Sequence, residues 1–239
     1  MAVNIDLRAM PAEGASATVS RAAATMNCDR IARFYRAAEH VAFGGALQRC
    51  RAMFLGEVAD RRRALVCGGG DGRFLAELLR ANRNVCADFV DLSAGMVFHA
   101  RRRADAIGPE ACNRVQFHVG DVRGFEPADG ARYDLISTHF VLDCFDDVEV
   151  ARVARRLASL AQPRAALLLS EFRIPPHGAR RHVAAAIIRA LYAGFRVATG
   201  LRVTRLPDYE GALERAGFRK QREALQLGGL LVAAFWEKS

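Results

Sequence analysis

The stretch that most limits what this chain can fold into is Ala64–Leu79. An apolar run, Ala64–Cys67, passes directly into Gly68-Gly69-Gly70-Asp71-Gly72, and Phe74, Leu75, Leu78 and Leu79 follow at helical spacing. Four glycines in five residues continue neither a strand nor a helix, so the segment reads as strand, glycine turn, helix. The alternation recurs downstream. Val85–Asp91 is a β-rich run ending in an acid, and Ser93 is placed to N-cap a helix through about Ala106. Val115–Val119, Tyr133–Thr138 and Ala165–Glu171 read as the next strands. Between the last two, Asp146 and Glu149 have the spacing of a capping box that opens a helix to about Ala161, stopped by Pro163. Strands alternating with helices imply an α/β fold with a parallel, doubly wound sheet covered on both faces.

The ends depart from strict alternation. After Pro175-Pro176 a long helical pattern runs through Ile187, Ile188, Leu191, Tyr192 and Phe195, and a second helix near Asp208 to Ala216 stops at Gly217. Two closing strands near Arg219–Leu225 and Leu230–Trp236 lie close enough to pair as an antiparallel hairpin. Upstream, Asp29 to about Val58 is helical in pattern, with Phe43-Gly44-Gly45 dividing it into two helices. The first 27 residues have no 7–15-residue apolar core, which argues against a secretory signal, and they read as a mobile arm or as a flap that orders over a ligand. The expected organisation is an arm over 1–27 and a single domain over 28–239, with a helical cap at 28–58 and a helical insertion at 174–206.

At 239 residues and 51% hydrophobic the chain suits one large globular domain, and its longest clean apolar stretch, Gly228 to Trp236, is too short for a membrane span. Formal net charge is +9, and only Lys220 and Lys238 among 35 basic residues are lysine. The arginines are spread along the chain, with no basic tail and no aromatic-interleaved RNA signature, so nucleic acid is not the expected partner. No two of the six cysteines form a C-x-x-C pair, and no metal site is expected. Cys67 and Cys86 read as small buried hydrophobes, and a reduced, cytoplasmic protein fits best.

In an open α/β sheet, ligands sit at the carboxyl ends of the strands near the point where strand order reverses. Gly68, Gly70 and Gly72 put a side-chain-free turn there. A dinucleotide fingerprint needs glycine where Arg73 stands, and no phosphate loop of the G-x-x-x-x-G-K type is present. Asp91, 19 residues beyond Gly72, ends the second strand, where it can accept two ribose hydroxyls. Asp121 follows the third strand at the same edge, where it can accept from an adenine amino group. Either acid alone reads equally well as a cap for the next helix. Together with the glycines, in this order, they favour an adenosine ligand without a pyrophosphate.

On these residues the chain resembles the class I S-adenosylmethionine-dependent methyltransferases, most closely the ubiquinone/menaquinone-biosynthesis-like branch of small-molecule enzymes. The matching stretches are ALVCGGGDGRFLAELL, VDLSAGMVFHAR, VQFHVGDV, YDLISTHFVLDCF and GLRVTRLPDYEGALERAGF. The resemblance implies a Rossmann-like, seven-stranded sheet, mostly parallel with an antiparallel C-terminal strand. It also implies that Gly68, Gly70 and Gly72 wrap the methionine part of S-adenosyl-L-methionine, that Asp91 holds the ribose, and that Leu92 and Met96 flank the adenine. Asp121 and Val122 would read the adenine edge, and His139 would lie beside the sulfonium and the acceptor. Val66 stands where the family carries an acid, and Cys28 where it carries an aromatic, with Tyr35 as a nearby ring.

Methyl transfer from a sulfonium is an in-line displacement, so the protein supplies alignment and a desolvated pocket, plus a base only when the acceptor must lose a proton. His139 is the candidate base, since imidazole titrates near neutrality, and its other reading is a satisfied pocket histidine or a cofactor contact. Asp143, four residues on, would share a helical face with His139 and orient it. His40 and Tyr35 are placed to close over the pocket, and Tyr192, Phe195 and Arg196 are candidates to face the substrate from the insertion. Ser137-Thr138-His139-Phe140 stands where amino-directed nucleic-acid methyltransferases carry N-P-P-[YFW] or D-P-P-[YFW], and no P-C dipeptide supplies a C5-pyrimidine nucleophile. A small organic acceptor is therefore expected, methylated on oxygen or nitrogen ahead of carbon. The alternatives are an RNA methyltransferase and a catalytically silent adenosylmethionine-binding protein.

Overall fold

The computed structural model describes residues 43, 45–199 and 203–239. Seven strands, β1 (Arg63–Cys67), β2 (Cys86–Asp91), β3 (Val115–Val119), β4 (Tyr133–His139), β5 (Ala161–Phe172), β6 (Phe218–Gln226) and β7 (Leu231–Lys238), form one sheet in the order β3-β2-β1-β4-β5-β7-β6. The first five are parallel to one another, while β7 is antiparallel to both β5 and β6. The helices are α1 (Ala46–Ala52), α2 (Arg73–Ala81), α3 (Ala94–Asp105), α4 (Pro109–Asn113), α5 (Asp147–Leu160), α6 (Ala179–Thr199) and α7 (Tyr209–Arg215).

Each central strand is apolar on both sides because both faces of the sheet are covered. Ala64 and Val66 of β1 belong to one buried cluster and Leu65 and Cys67 to the other. Leu231, Ala233 and Phe235 of β7 are likewise divided from Val232, Ala234 and Trp236. The first cluster takes Leu47 from α1, Leu75, Leu78 and Leu79 from α2, Ala100 from α3 and Ile188 from α6. The second takes Val150, Val153 and Leu157 from α5 and Leu213 from α7. Strand order reverses at β1, which lies between β2 and β4. The carboxyl ends of those three strands therefore meet at one place, where the chain turns through Gly68–Gly72.

Local signals are realised as physical caps. Ser93 Oγ accepts from the Met96 N–H at the start of α3, and Asp146 Oδ1 accepts from the Glu149 N–H at the start of α5. Four local expectations are corrected. The helical pattern to Val58 breaks at Met53, and a single 3-10 turn, Leu55–Val58, follows. The short helix α4, opened by Pro109, was not expected. Pro163 does follow the end of α5, but it lies inside β5, near its irregular start, where the missing N–H disturbs the pairing with β4. Cys86 is exposed, because it is the first residue of β2 and precedes the covered part of the sheet. Among the described residues, no helix is long and apolar enough to cross a membrane.

Candidate active site

The glycine turn is built from four different constraints. Gly68, Gly70 and Gly72 have φ of +57°, +58° and +80°, the region that only glycine enters freely. A Cβ on Gly68 would stand 2.4 Å from Val141 Cγ2, and one on Gly72 would stand 2.6 Å from Ala100 Cα. A Cβ on Gly69 would stand 2.1 Å from the Phe89 ring, so this glycine, which the G-x-G-x-G pattern skips, is sterically required as well. Gly70 differs: a Cβ there would meet nothing within 4 Å and would project into the cleft. Asp71 fastens the turn from outside. Its carboxylate binds Arg73 and Arg103, both at 3.1 Å, and Arg103 Nε also donates to the Asp71 carbonyl at 3.0 Å. Arg103 was not singled out from sequence, since its meeting with Asp71 depends on how α3 packs beside α2.

Asp91, the last residue of β2, ties this turn to the next. Its Oδ2 accepts the Gly70 N–H and its Oδ1 the Ser93 N–H, both at 2.9 Å. Burial pushes the carboxyl above its ordinary range against these two hydrogen bonds, which favour the anion. Leu92 is exposed and Met96 is buried against the cleft. Asp121 lies just beyond β3, with Oδ1 accepting the Arg123 N–H and Oδ2 accepting from its guanidinium. Partial burial works to raise this carboxyl, but the Arg123 hydrogen bonds and charge outweigh it and hold it below the ordinary range. Val122 beside it is buried.

His139 is the last residue of β4 and forms the cleft's inner wall. Its Nδ1 pairs with Ser170 Oγ at 3.0 Å, its ring lies 4.3 Å from the Phe74 ring, and its Nε2 is buried without a partner. Burial first, and the nearby Arg51 charge second, push the imidazole well below its ordinary range, so it is neutral at physiological pH. The expected helix carrying His139 and Asp143 on one face is corrected. A 3-10 turn, Leu142–Cys144, follows β4 instead, and Ser170 rather than Asp143 is the hydrogen-bond partner of His139. Glu171 accounts for the turn: its Oε1 accepts the N–H groups of Val141 and Leu142 at 3.1 and 2.8 Å. Asp143 and Glu171 are both buried. Burial raises both carboxyls, Asp143 to about 6, and the Asp143 charge beside it pushes Glu171 up further.

The sequence of this region has relatives. Residues 65–167 match the family described as a methyltransferase domain. The matched stretch makes up less than half of the chain. It begins in β1, ends in β5, and holds the glycine turn, Asp91, Asp121, His139 and Asp143. Polyamine aminopropyltransferase 2 of Bacillus anthracis is 33% identical over 90 residues, which make up 36% of this chain and 25% of that protein. Among solved structures, an O-methyltransferase family protein from Burkholderia thailandensis aligns with a TM-score of 0.62 at 23% identity, over 94% of this chain and 61% of its own. The O-methyltransferase NcsB1 from neocarzinostatin biosynthesis, solved with S-adenosylmethionine and 2-hydroxy-5-methyl naphthoic acid, aligns with a TM-score of 0.64 at 16% identity, over 93% and 61%. At these identities the structural likeness establishes a shared fold. The chain spans about three fifths of those two neighbours and a quarter of the aminopropyltransferase.

Outside residues 65–167, the expected substrate-facing residues divide. Tyr192 is corrected to a core position: its ring is buried and its hydroxyl donates to the Asp143 carbonyl at 3.0 Å, bracing the turn after β4. Arg196 is exposed on α6. Tyr35 and His40 lie outside the described residues, as does the side chain of Phe195. A cleft residue missed from sequence is Arg51, on α1, whose guanidinium stands 5.1 Å from the Phe140 ring centroid. Among the described residues, no three His, Cys, Asp or Glu side chains are grouped to hold a metal ion.

Proposed function

We propose that this chain binds S-adenosyl-L-methionine at the glycine turn and transfers its methyl group to an oxygen or nitrogen of a small organic molecule by in-line displacement. The observation that carries the reading is Asp91 bridging Gly70 and Ser93 beside the open space over Gly70. When bound, the cofactor supplies an electrophilic methyl carbon on a sulfonium. Gly70 lets a ligand approach the backbone without meeting a side chain. The start of α2 has no side-chain cap, so its N–H groups present positive charge for a carboxylate. Each Asp91 oxygen has accepted one backbone N–H and retains a lone-pair direction for a ribose hydroxyl. Met96 offers an apolar, polarisable side chain for the adenine. His139 aligns an acceptor through the unpartnered Nε2.

The O-methyltransferase neighbours support oxygen ahead of nitrogen, and the motif stretches support the ubiquinone/menaquinone-biosynthesis-like branch. The five described cysteines are free thiols, which supports a reducing, cytoplasmic setting. A second reading, transfer to a polyamine, is favoured by the 90-residue likeness to an aminopropyltransferase. A polycation is a poor occupant of a cleft lined by Arg51 and Arg73, and the methyl-transfer reading is preferred for that reason.

Calorimetric titration with S-adenosylmethionine and, separately, NAD tests the proposal. Adenosylmethionine is expected to bind, NAD not to bind because Arg73 replaces the third dinucleotide glycine, and Asp91→Asn to weaken adenosylmethionine about tenfold or more. No adenosylmethionine binding, or binding indifferent to Asp91, overturns it.

A further inference from the structure

We infer that the outward face of α6, with the loops at its start, is a docking surface for an anionic lipid bilayer, on which the protein lies without crossing it. This goes beyond the methyl-transfer reading and does not depend on it. The first observation is what the helix turns outward. α3 exposes Arg101, Arg102 and Asp105, and α5 exposes Asp147, Arg152 and Arg155, as solvated helices do. α6 buries Ala184, Ile188 and Tyr192, yet the middle of its opposite side is Val183, Ala186, Ile187, Ala190 and Ala193, all exposed. At helical spacing these five form one continuous stripe about 120° wide. The second is what extends the stripe. A Cβ on Gly228 would stand 3.5 Å from Arg180 Cδ, and one on Gly229 3.2 Å from Pro175 Cγ, so the β6–β7 turn lies against the segment that opens α6. Leu227 and Ile174, 51% and 37% exposed, are thereby brought to the end of the helix where Val183 is 59% exposed. Exposed apolar residues gathered this way mark a surface that another body covers.

Charge selects the occupant. α6 has no acid in its 21 residues. Arg189, Arg196 and His182 border the stripe on one side and Arg180 borders it on the other, all exposed. Among the described residues, no acid pairs with Arg180, Arg189 or Arg196. Arginines in this position reach lipid phosphates while the stripe enters the boundary of the acyl chains. A second copy of this chain would set cation against cation, and residues 1–42 carry five arginines against four acids, so neither answers the charge. A nucleic acid would answer the charge but not the stripe, which offers no aromatic ring to a base. On the buried side of α6 the Tyr192 hydroxyl donates to the Asp143 carbonyl, so the docking face stands at the carboxyl edge of the sheet, where the cleft opens.

The test is sedimentation of the full chain with vesicles of phosphatidylcholine alone or of equal parts phosphatidylcholine and phosphatidylglycerol. Wild type is expected to bind the mixed vesicles about tenfold or more tightly, with affinity falling as salt rises. Arg180→Gln/Arg189→Gln and Val183→Gln/Leu227→Gln should each weaken that binding about tenfold. Arg83→Gln/Arg132→Gln removes the same charge just before β2 and β4, at the other edge of the sheet, and should weaken it less than about threefold. Melting temperatures close to wild type show that the variants fold, and if the apolar pair fails this check the arginine pair against its control decides. No vesicle binding, equal binding to both vesicle types, or equal loss in both arginine pairs overturns the inference. Three results would also replace its occupant. Retention on polyuridylate without vesicle binding points to nucleic acid. A dimer that Val183→Gln/Leu227→Gln dissociates, without vesicle binding, points to a second copy. A lowered melting temperature in that variant, without vesicle binding by wild type, points to residues 1–42.

Discussion

Neighbouring glycines in the turn answer to different forces, so their substitutions should separate stability from binding. Gly72→Ala combines a φ of +80° with a Cβ driven against the Ala100 backbone, and it is expected to cost about 2–4 kcal/mol of stability. Gly70→Ala meets no atom within 4 Å and pays only for its backbone conformation, about 1 kcal/mol, yet it fills the space over the turn and should abolish adenosylmethionine binding. Denaturant unfolding and ligand titration on both variants check the contrast, and equal effects on both readouts would contradict it. The G-x-G-x-G spacing is visible in sequence because it reflects local backbone geometry. The need for Gly69 is not, because it depends on Phe89, which the β1–β2 register places beside Val66. Asp121 shows a converse lesson: Arg123, two residues on, engages the carboxylate expected to meet adenine.

At the scale of elements, caps and strand ends were legible and the segment after β4 was not. Ser93 and Asp146 cap their helices through bonds within three residues, so the sequence carries the whole signal. The turn at Leu142–Cys144 is imposed from a distance. Ser170 takes the Phe140 N–H at 2.7 Å, Glu171 takes the next two, and Phe140 is held at a φ of +58°. Helical spacing therefore suggested a His139–Asp143 partnership that three hydrogen bonds from β5 replace. Arg103 works similarly, from α3 onto the glycine turn. Arg103→Met is expected to leave the melting temperature within a few degrees of wild type, since the ion pair is partly exposed. It should weaken adenosylmethionine binding about three- to tenfold by loosening Asp71. Binding unchanged in that variant would show that the turn holds itself.

Across the whole molecule, the sheet buries two carboxylates and a histidine whose titrations oppose one another. Asp143 and Glu171 prefer the protonated form in the fold, so their contribution to stability is full below the ordinary carboxyl range and is lost as pH rises, through about 6 in the case of Asp143. His139 prefers its neutral form, so its contribution is full above the ordinary imidazole range and is lost as pH falls below it. Asp143→Asn removes one of the acid terms. Its stability relative to wild type is expected to improve by about 2 kcal/mol between pH 4 and 6 and then level off. Unfolding measured across pH 4–8 checks this, and a flat difference would refute it. The sequence by itself determined the alternation of strands and helices, the closing hairpin, the glycine turn and the acid at the end of β2. These depend on periodicity, on backbone freedom and on residues close along the chain. Only the tertiary structure decided that His139 is neutral, that Ser170 rather than Asp143 holds it, that Tyr192 is core, and that Arg51 and Arg103 flank the cleft. Those outcomes depend on burial and on charges brought together from distant elements, and neither quantity exists before the sheet and its covering helices pack.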